Sequence, residues 1–219
     1  MIVLGLSDIH GVVDPLRKLG KILKEADVVC LVGDITHFGG KAEADRVIDA
    51  VARYAARVLA VSGNCDYPGV DARLDEKKIN LHGRVETIGG VAFLGLGGSL
   101  ITPFNTPNEH TEDDVRRVLE NAEHRIPGEK PLVVVSHEPP ANTSCDRLSN
   151  GMHVGSAALY SFIETHRPAA CLTGHIHEAV GTDRIGNTPI VNPGQLGRGR
   201  YARLEMLPDG VRVSVETFS

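Results

Sequence analysis

The sequence predicts an α/β fold in which one mostly parallel sheet and one mixed sheet pack face to face, with helices outside. Three observations carry that reading. Five short apolar runs, bounded by Gly, Pro or charge, each stop just before a residue able to bind a metal. Strand and helix patterns alternate from residue 1 to 66, as in βαβ units whose strands pair in parallel. The last third reads instead as consecutive hairpins.

Taken in order, Ile2-Val3-Leu4-Gly5-Leu6 is the first apolar run and precedes Asp8. Asp14 is expected to cap a helix with Pro15 at its first position, and Leu16, Leu19, Ile22 and Leu23 form its apolar face. Val28-Val29-Cys30-Leu31-Val32 leads to Asp34, and a second helix is expected over about residues 41–54 with Ala44, Val47, Ile48 and Val51 inward. Val58-Leu59-Ala60-Val61 leads to Asn64. Strands over 80–87 and 91–97 are joined at Ile88-Gly89-Gly90, a hairpin signal. The Gly95–Ser99 segment lacks the Lys-Ser/Thr of a phosphate loop and reads as a strand-end turn. Thr111 caps a helix to about 125, with Asp113 and Asp114 in the turn where the macrodipole favours acid. A parallel strand at 131–136 precedes His137, a polar stretch fills 138–154, and a helix spans about 156–166. Ala169-Ala170-Cys171-Leu172 leads to His175, and strands follow over 179–185, 189–191, 201–207 and 211–218. No repeat, linker or low-complexity stretch divides the chain, so residues 1–219 are expected to form one domain.

Composition narrows the function classes. The formal net charge is −5 and there is no basic tail or polybasic run, which argues against binding long nucleic acid. No stretch reaches the length of a membrane-spanning helix, and the first strand begins at Ile2 without a charged leader, so a soluble cytoplasmic protein is expected. The four cysteines form no C-x-x-C pair. Cys30 and Cys171 sit inside apolar runs as core residues, whereas Cys65 directly follows Asn64.

The strand-end residues form one constellation: Asp8, His10, Asp34, Asn64, His137, His175 and His177. The carboxyl ends of strands in an open α/β sheet build one crevice, so these groups are expected to meet. Carboxylate, amide and imidazole together suit divalent transition metals. Asp8 and His10, like His175 and His177, are spaced i, i+2 and project to one side of an extended chain. Asp34, after Gly33, is the natural carboxylate to bridge two ions. Two dications about 3.5–4 Å apart can activate water and clamp the oxygens of an in-line displacement, which is phosphoester hydrolysis. Among other residues, Asp66 reads as a turn or salt-bridge residue, and His82, His110, His124 and His166 as solvent-exposed. His37 and His153 lie in loops beside the ligands, where His153 is a candidate to face the substrate. Asn192-Pro193-Gly194 is expected to shape the floor of the site.

Asp8-Ile9-His10, Gly33-Asp34, Gly63-Asn64-Cys65-Asp66, Ser136-His137 and Gly174-His175-Ile176-His177, in this order, resemble the motifs of calcineurin-like metallophosphoesterases. The resemblance runs from residue 5 to 194 and implies a four-layer α/β/β/α sandwich. It implies that Asp8, His10, Asp34 and His177 hold one metal, and that Asp34, Asn64, His137 and His175 hold a second. Mn, Fe, Zn or Ni are the expected ions, with a metal-bridging hydroxide as nucleophile and Asn64, Cys65 and His153 as the candidate catalytic side chains. The sequence departs from the family at Cys65, where many members carry His; G-N-C-D is similar to a small bacterial and archaeal phosphodiesterase-like branch. A neutral thiol, with pKa ordinarily about 8.5, is a poorer proton donor than imidazolium. The expected function is phosphodiester hydrolysis, with a small phosphoester as partner and self-assembly left open. The alternative is a binding or scaffold member of the same fold, for which Cys65 is the only argument.

Overall fold

The computed structural model describes residues 1–128 and 130–219. In chain order the strands are Ile2–Leu6 (β1), Val28–Val32 (β2), Val58–Val61 (β3), Val85–Ile88 (β4), Val91–Leu96 (β5), Ser99–Leu100 (β6), Glu109–His110 (β7), Leu132–Ser136 (β8), Ala170–Leu172 (β9), Gly181–Ile185 (β10), Thr188–Asn192 (β11), Arg200–Leu207 (β12) and Gly210–Thr217 (β13). The α-helices are Asp14–Lys18 (α1), Gly20–Glu25 (α2), Lys41–Ala52 (α3), Pro68–Glu76 (α4), Glu112–Glu123 (α5) and Ala157–His166 (α6).

One sheet has the order β13-β12-β1-β2-β3 and the other β10-β11-β9-β8-β5-β4. β1, β2 and β3 run parallel, and the β12–β13 hairpin adds antiparallel through β12 against β1. In the second sheet β5, β8, β9 and β11 are parallel, with β4 and β10 antiparallel at the edges. Residue alternation along β2 explains the layering. Val28, Cys30 and Val32 face the second sheet and meet Phe93, Val133, Val135 and Leu172. Val29 and Leu31 face the other way, onto the cluster of Leu16, Leu23, Val47, Val51, Val70 and Leu74 from α1–α4. A third cluster joins Leu94 and Val134 to Val115 and Leu119 of α5 and Leu159 and Ile163 of α6. Three apolar clusters separating four layers make the α/β/β/α sandwich, and Cys30 and Cys171 lie fully inside it.

Several elements follow the expectations closely. Ala44, Val47, Ile48 and Val51 are the buried face of α3. Thr111 caps α5 by accepting from the Asp114 N–H while the Asp114 carboxylate accepts from the Thr111 N–H. Gly89 and Gly90, both at positive φ, make the two-residue turn that joins β4 to β5. Others are corrected. Asp14 is inside α1 rather than its cap, which is Val13, and the expected single helix breaks at Leu19 into α1 and α2. Residues 80–84 do not continue β4; Asn80 and His82 make only isolated bridges, to Ala60 and Gly95. The helix α4 was not foreseen, although Pro68 at its first position and Val70 and Leu74 on its buried side mark it. Among the described residues no helix is long and apolar enough to cross a membrane.

Candidate metal centre

The loops that leave β1, β2, β3, β8 and β9 interlock. The Asp8 N–H donates to the Gly33 carbonyl at 3.2 Å, and those of His10 and Gly11 donate to Asp34 at 2.8 Å and Ile35 at 2.9 Å. His137 N–H donates to the Leu96 carbonyl at 3.0 Å, and Gly174 N–H to the His137 carbonyl at 3.2 Å. The Cys65 N–H donates to Asp34 Oδ1 at 2.9 Å. Gly33 lets the strands close this tightly: at φ +82° a side chain there would be strained, and a β-carbon would lie 2.3 Å from the His137 ring.

Four of the expected ligands, Asp8, His10, Asp34 and His175, adopt left-handed backbone with φ of 53°, 48°, 45° and 64°. Asp and His enter this region more readily than most residues, yet each instance still costs on the order of 1 kcal/mol. Strain concentrated on the residues that carry the chemistry is a mark of a functional site.

The seven expected ligands converge. Asp8, Asp34, Asn64 and His137 are buried, His10 and His175 are partly buried, and His177 is open to solvent. One group joins Asp8, His10 and His177: His177 Nε2 is 3.0 Å from Asp8 Oδ1 and 3.4 Å from His10 Nε2. A second joins Asp8, Asp34 and His137, with His137 Nε2 3.4 Å from Asp34 Oδ1 and 3.0 Å from Asn64 Oδ1. Asp34 reaches both, since its Oδ2 lies 3.8 Å from His10 Nε2. His175 packs its ring against His137, centroids 5.2 Å apart, but is not in these tight groups. Cys65 is drawn in with His10 and Asp34 as a third group of candidate donors.

The orientation of His137 tests whether this set fits a cation. Its Nδ1 is 2.9 Å from the Val32 carbonyl, which can only accept, so Nδ1 carries a proton and, in the neutral tautomer, Nε2 is the free lone pair. Its Nε2 lone pair then faces two acceptors, Asp34 Oδ1 and Asn64 Oδ1. The Asn64 amide nitrogen is turned away, donating to Thr106 Oγ1 at 3.1 Å. Lone pairs converging on one another fit a bound cation, and the donor types suit a divalent transition metal. His10 Nε2 and His177 Nε2 face each other at 3.4 Å, and His177 Nε2 also lies 3.0 Å from Asp8 Oδ1, whose hydrogen bond raises the His177 pKa.

Charge is arranged to match. Burial and the neighbouring His137 lower the His175 pKa to about 4, keeping a lone pair free for a metal. Burial also lowers His10, partly offset by Asp34 and Asp8. Asp8 resists its own burial through the His177 hydrogen bond and nearby imidazoles, and stays below the ordinary carboxylate range. Burial, and then the Asp34 charge, push the Cys65 thiol well above its usual value, so it is neutral in the absence of metal.

Supporting residues sit behind these groups. Ser7 Oγ donates to Asp8 Oδ2 at 2.6 Å and holds that carboxylate from behind. Asp66 accepts from the Ile35, Thr36 and Gly63 N–H groups and from Thr36 Oγ1, tying the Asp34 loop to the Asn64 loop. Asn192 Nδ2 donates to the Ile176 carbonyl at 3.0 Å and fixes the His175–His177 turn. Ser7 and Thr106 were not foreseen; a lone Ser or Thr has no pattern to betray it, and only the fold places them. His37 is exposed and sits edge-on to His10, with ring centroids 5.3 Å apart. His153 is paired with buried Asp146 at 2.7 Å; among the described residues it makes no hydrogen bond to the ligand cluster. His82 and His110 are not solvent-exposed as expected but half-buried and stacked, centroids 5.8 Å apart, because Gly97 N–H donates to His82 Nδ1.

The chain is similar to known proteins over most of its length. The family model described as calcineurin-like phosphoesterase matches residues 1–179. The uncharacterized protein MJ1162 of Methanocaldococcus jannaschii is 40% identical over 197 residues, which is 88% of each chain. TT1561 of Thermus thermophilus shares the fold with a TM-score of 0.71, at 17% identity over 97% of both chains. Phosphopantetheinyl hydrolase from Mycobacterium tuberculosis has a TM-score of 0.58 at 14% identity, over 89% of this chain and 90% of that one.

Proposed function

The chain belongs to the calcineurin-like phosphoesterase family, and we propose that it is a two-metal phosphodiesterase acting on small substrates. The observation that carries the reading is the convergence of carboxylate, amide and imidazole donors around Asp34. Asp8, His10, Asp34 and His177 would hold one ion, and Asp34, Asn64, His137 and His175 the other. When bound, the two cations would supply an activated water nucleophile and neutralise charge on the phosphoryl oxygens.

The protein's own contribution is positioning. The Val32 carbonyl holds the His137 tautomer, Thr106 turns the Asn64 oxygen inward, and Ser7 orients Asp8. Asp34 would be the carboxylate bridging the two halves, since its two oxygens face His10 and His137; Asp8 also belongs to both groups. Cys65, whose thiol holds its proton tightly, is poorly suited to protonate a basic leaving oxygen. That favours diesters with acidic leaving groups over alkyl phosphomonoesters. The scaffold reading rests on Cys65 alone and is opposed by the complete ligand set.

The test is turnover of bis(4-nitrophenyl) phosphate, 4-nitrophenyl phosphate and an alkyl phosphomonoester by protein reconstituted with Mn²⁺, Fe²⁺, Zn²⁺ or Ni²⁺. The diester is expected to be the best substrate by at least about tenfold. No hydrolysis with any metal would favour the scaffold reading.

A further inference from the structure

Among the described residues seven large apolar side chains are strongly exposed: Val12, Phe38, Tyr67, Ile101, Phe104, Met152 and Leu207. The first six all lie in loops that carry or adjoin the ligand cluster. Val12, Phe38 and Tyr67 follow His10, Asp34 and Asn64 within four residues. Ile101 and Phe104 precede Thr106, whose hydroxyl accepts from Asn64, by five and two residues. Met152 is in the loop after His137, which Ser149 ties to Glu178 beside His177. Scattered exposed apolar residues need no explanation, but their concentration around a charged centre does.

Phe38 has the most direct link to the chemistry. Its ring lies 5.1 Å from that of His37, His37 lies 5.3 Å from His10, and His10 lies 5.3 Å from His177. A run of four rings therefore leads from solvent to the metal ligands. Phe38 is 46% exposed and has φ of 53°, so it is held outward in a conformation that an aromatic residue seldom adopts. The loop is braced on both sides. Thr36 Oγ1 donates to Asp66 and accepts from the Gly39 N–H, His37 N–H donates to Glu43, and Tyr67 N–H donates to the Gly39 carbonyl. An exposed aromatic ring on a rigid loop is preorganised to bind, because little ordering remains for the ligand to impose.

We propose that Phe38 is the platform of a subsite for a planar aromatic group, aryl or nucleobase, esterified to the scissile phosphate. The proposal rests on the phosphodiesterase reading for the identity of the phosphate, but the stacking is a binding property that can be measured without turnover. Stacking of a base on an aromatic side chain contributes about 1–3 kcal/mol, so removal of the platform should change affinity by about tenfold or more.

The test uses the full-length metal-loaded protein and three non-hydrolysable anions: phenylphosphonate, cyclohexylphosphonate and methylphosphonate, titrated by calorimetry. Wild type should bind phenylphosphonate about tenfold more tightly than methylphosphonate and clearly more tightly than cyclohexylphosphonate. Phe38→Ala should bring the phenyl-to-methyl ratio close to one, and Phe38→Trp should keep it. Equal binding of phenyl- and cyclohexylphosphonate, or a ratio unmoved in Phe38→Ala, would overturn the proposal. A Phe38-dependent ratio in a protein that cleaves no ester would leave the subsite standing and sink the phosphodiesterase reading. Turnover of phenyl 4-nitrophenyl phosphate against thymidine 5′-(4-nitrophenyl phosphate) then separates the aryl source from the nucleoside, by which ester loses more in Phe38→Ala.

Discussion

At the scale of single residues, the site depends on Asp34. Its two oxygens face different imidazoles, His10 and His137, so Asp34→Asn removes charge from both halves at once. Phosphodiester turnover should fall by on the order of 100-fold or more, with weaker metal binding at both sites. His177→Ala should mainly weaken the ion beside Asp8 and His10, and His175→Ala the other; turnover of Asp34→Asn within a few-fold of wild type would show that the carboxylate is not shared. Cys65 sets a second expectation. If its neutral thiol leaves the leaving group unassisted, rates should rise steeply as the leaving group becomes more acidic, and Cys65→His should flatten that dependence by about 10²–10⁴-fold on basic leaving groups. A steeper dependence in His153→Ala would move the acid role to His153, whereas identical slopes in all three proteins would exclude both residues. The seven expected ligands were legible in the sequence because five follow apolar runs and His10 and His177 sit two residues after Asp8 and His175. Ser7, Thr106 and the His82–His110 stack were not, because their partners lie up to 42 residues away and only the closed fold brings them together.

At the scale of elements, what was legible depended on how strongly the apolar period and the caps agreed. α3 and α5 carry clear buried faces, α5 also carries a capping box, and both lie close to where they were expected. The stretch after Asp14 carries the apolar spacing but also Gly20, whose place against Tyr54 leaves no room for a β-carbon, and there the helix breaks. α4 was hidden because only Val70 and Leu74 of its residues are buried, too few to show a period. The loop after β8 holds a group with a measurable signature. Glu138 is fully buried; one oxygen accepts from the Leu100 N–H and the other has no partner among the described residues. Burial, with a small contribution from Glu112 and Asp146, raises its pKa to about 8. Because the folded pKa lies above the unfolded value of about 4.3, its contribution to stability is complete below that value and declines as pH rises towards 8. The neutral mimic Glu138→Gln has no such dependence. The stability of wild type relative to Glu138→Gln should therefore fall by at least about 2 kcal/mol between pH 5 and 8, read by urea denaturation at each pH. A difference that stays constant with pH would mean that Glu138 does not change protonation over this range.

At the scale of the whole molecule, two sheets bring five strand ends to one edge, and the tight turns between them leave the ligands no slack. The sandwich was foreseen because β2 and its neighbours are apolar on both faces, as strands buried between a sheet and helices must be. The central claim is that this edge holds two cations through one shared carboxylate. The most direct test is elemental analysis combined with calorimetric titration of Mn²⁺ into metal-stripped wild type and Asp34→Asn. Two equivalents per chain in wild type, both weakened in Asp34→Asn, are expected. One equivalent or none, or a single site lost while the other keeps its full affinity, would contradict the claim.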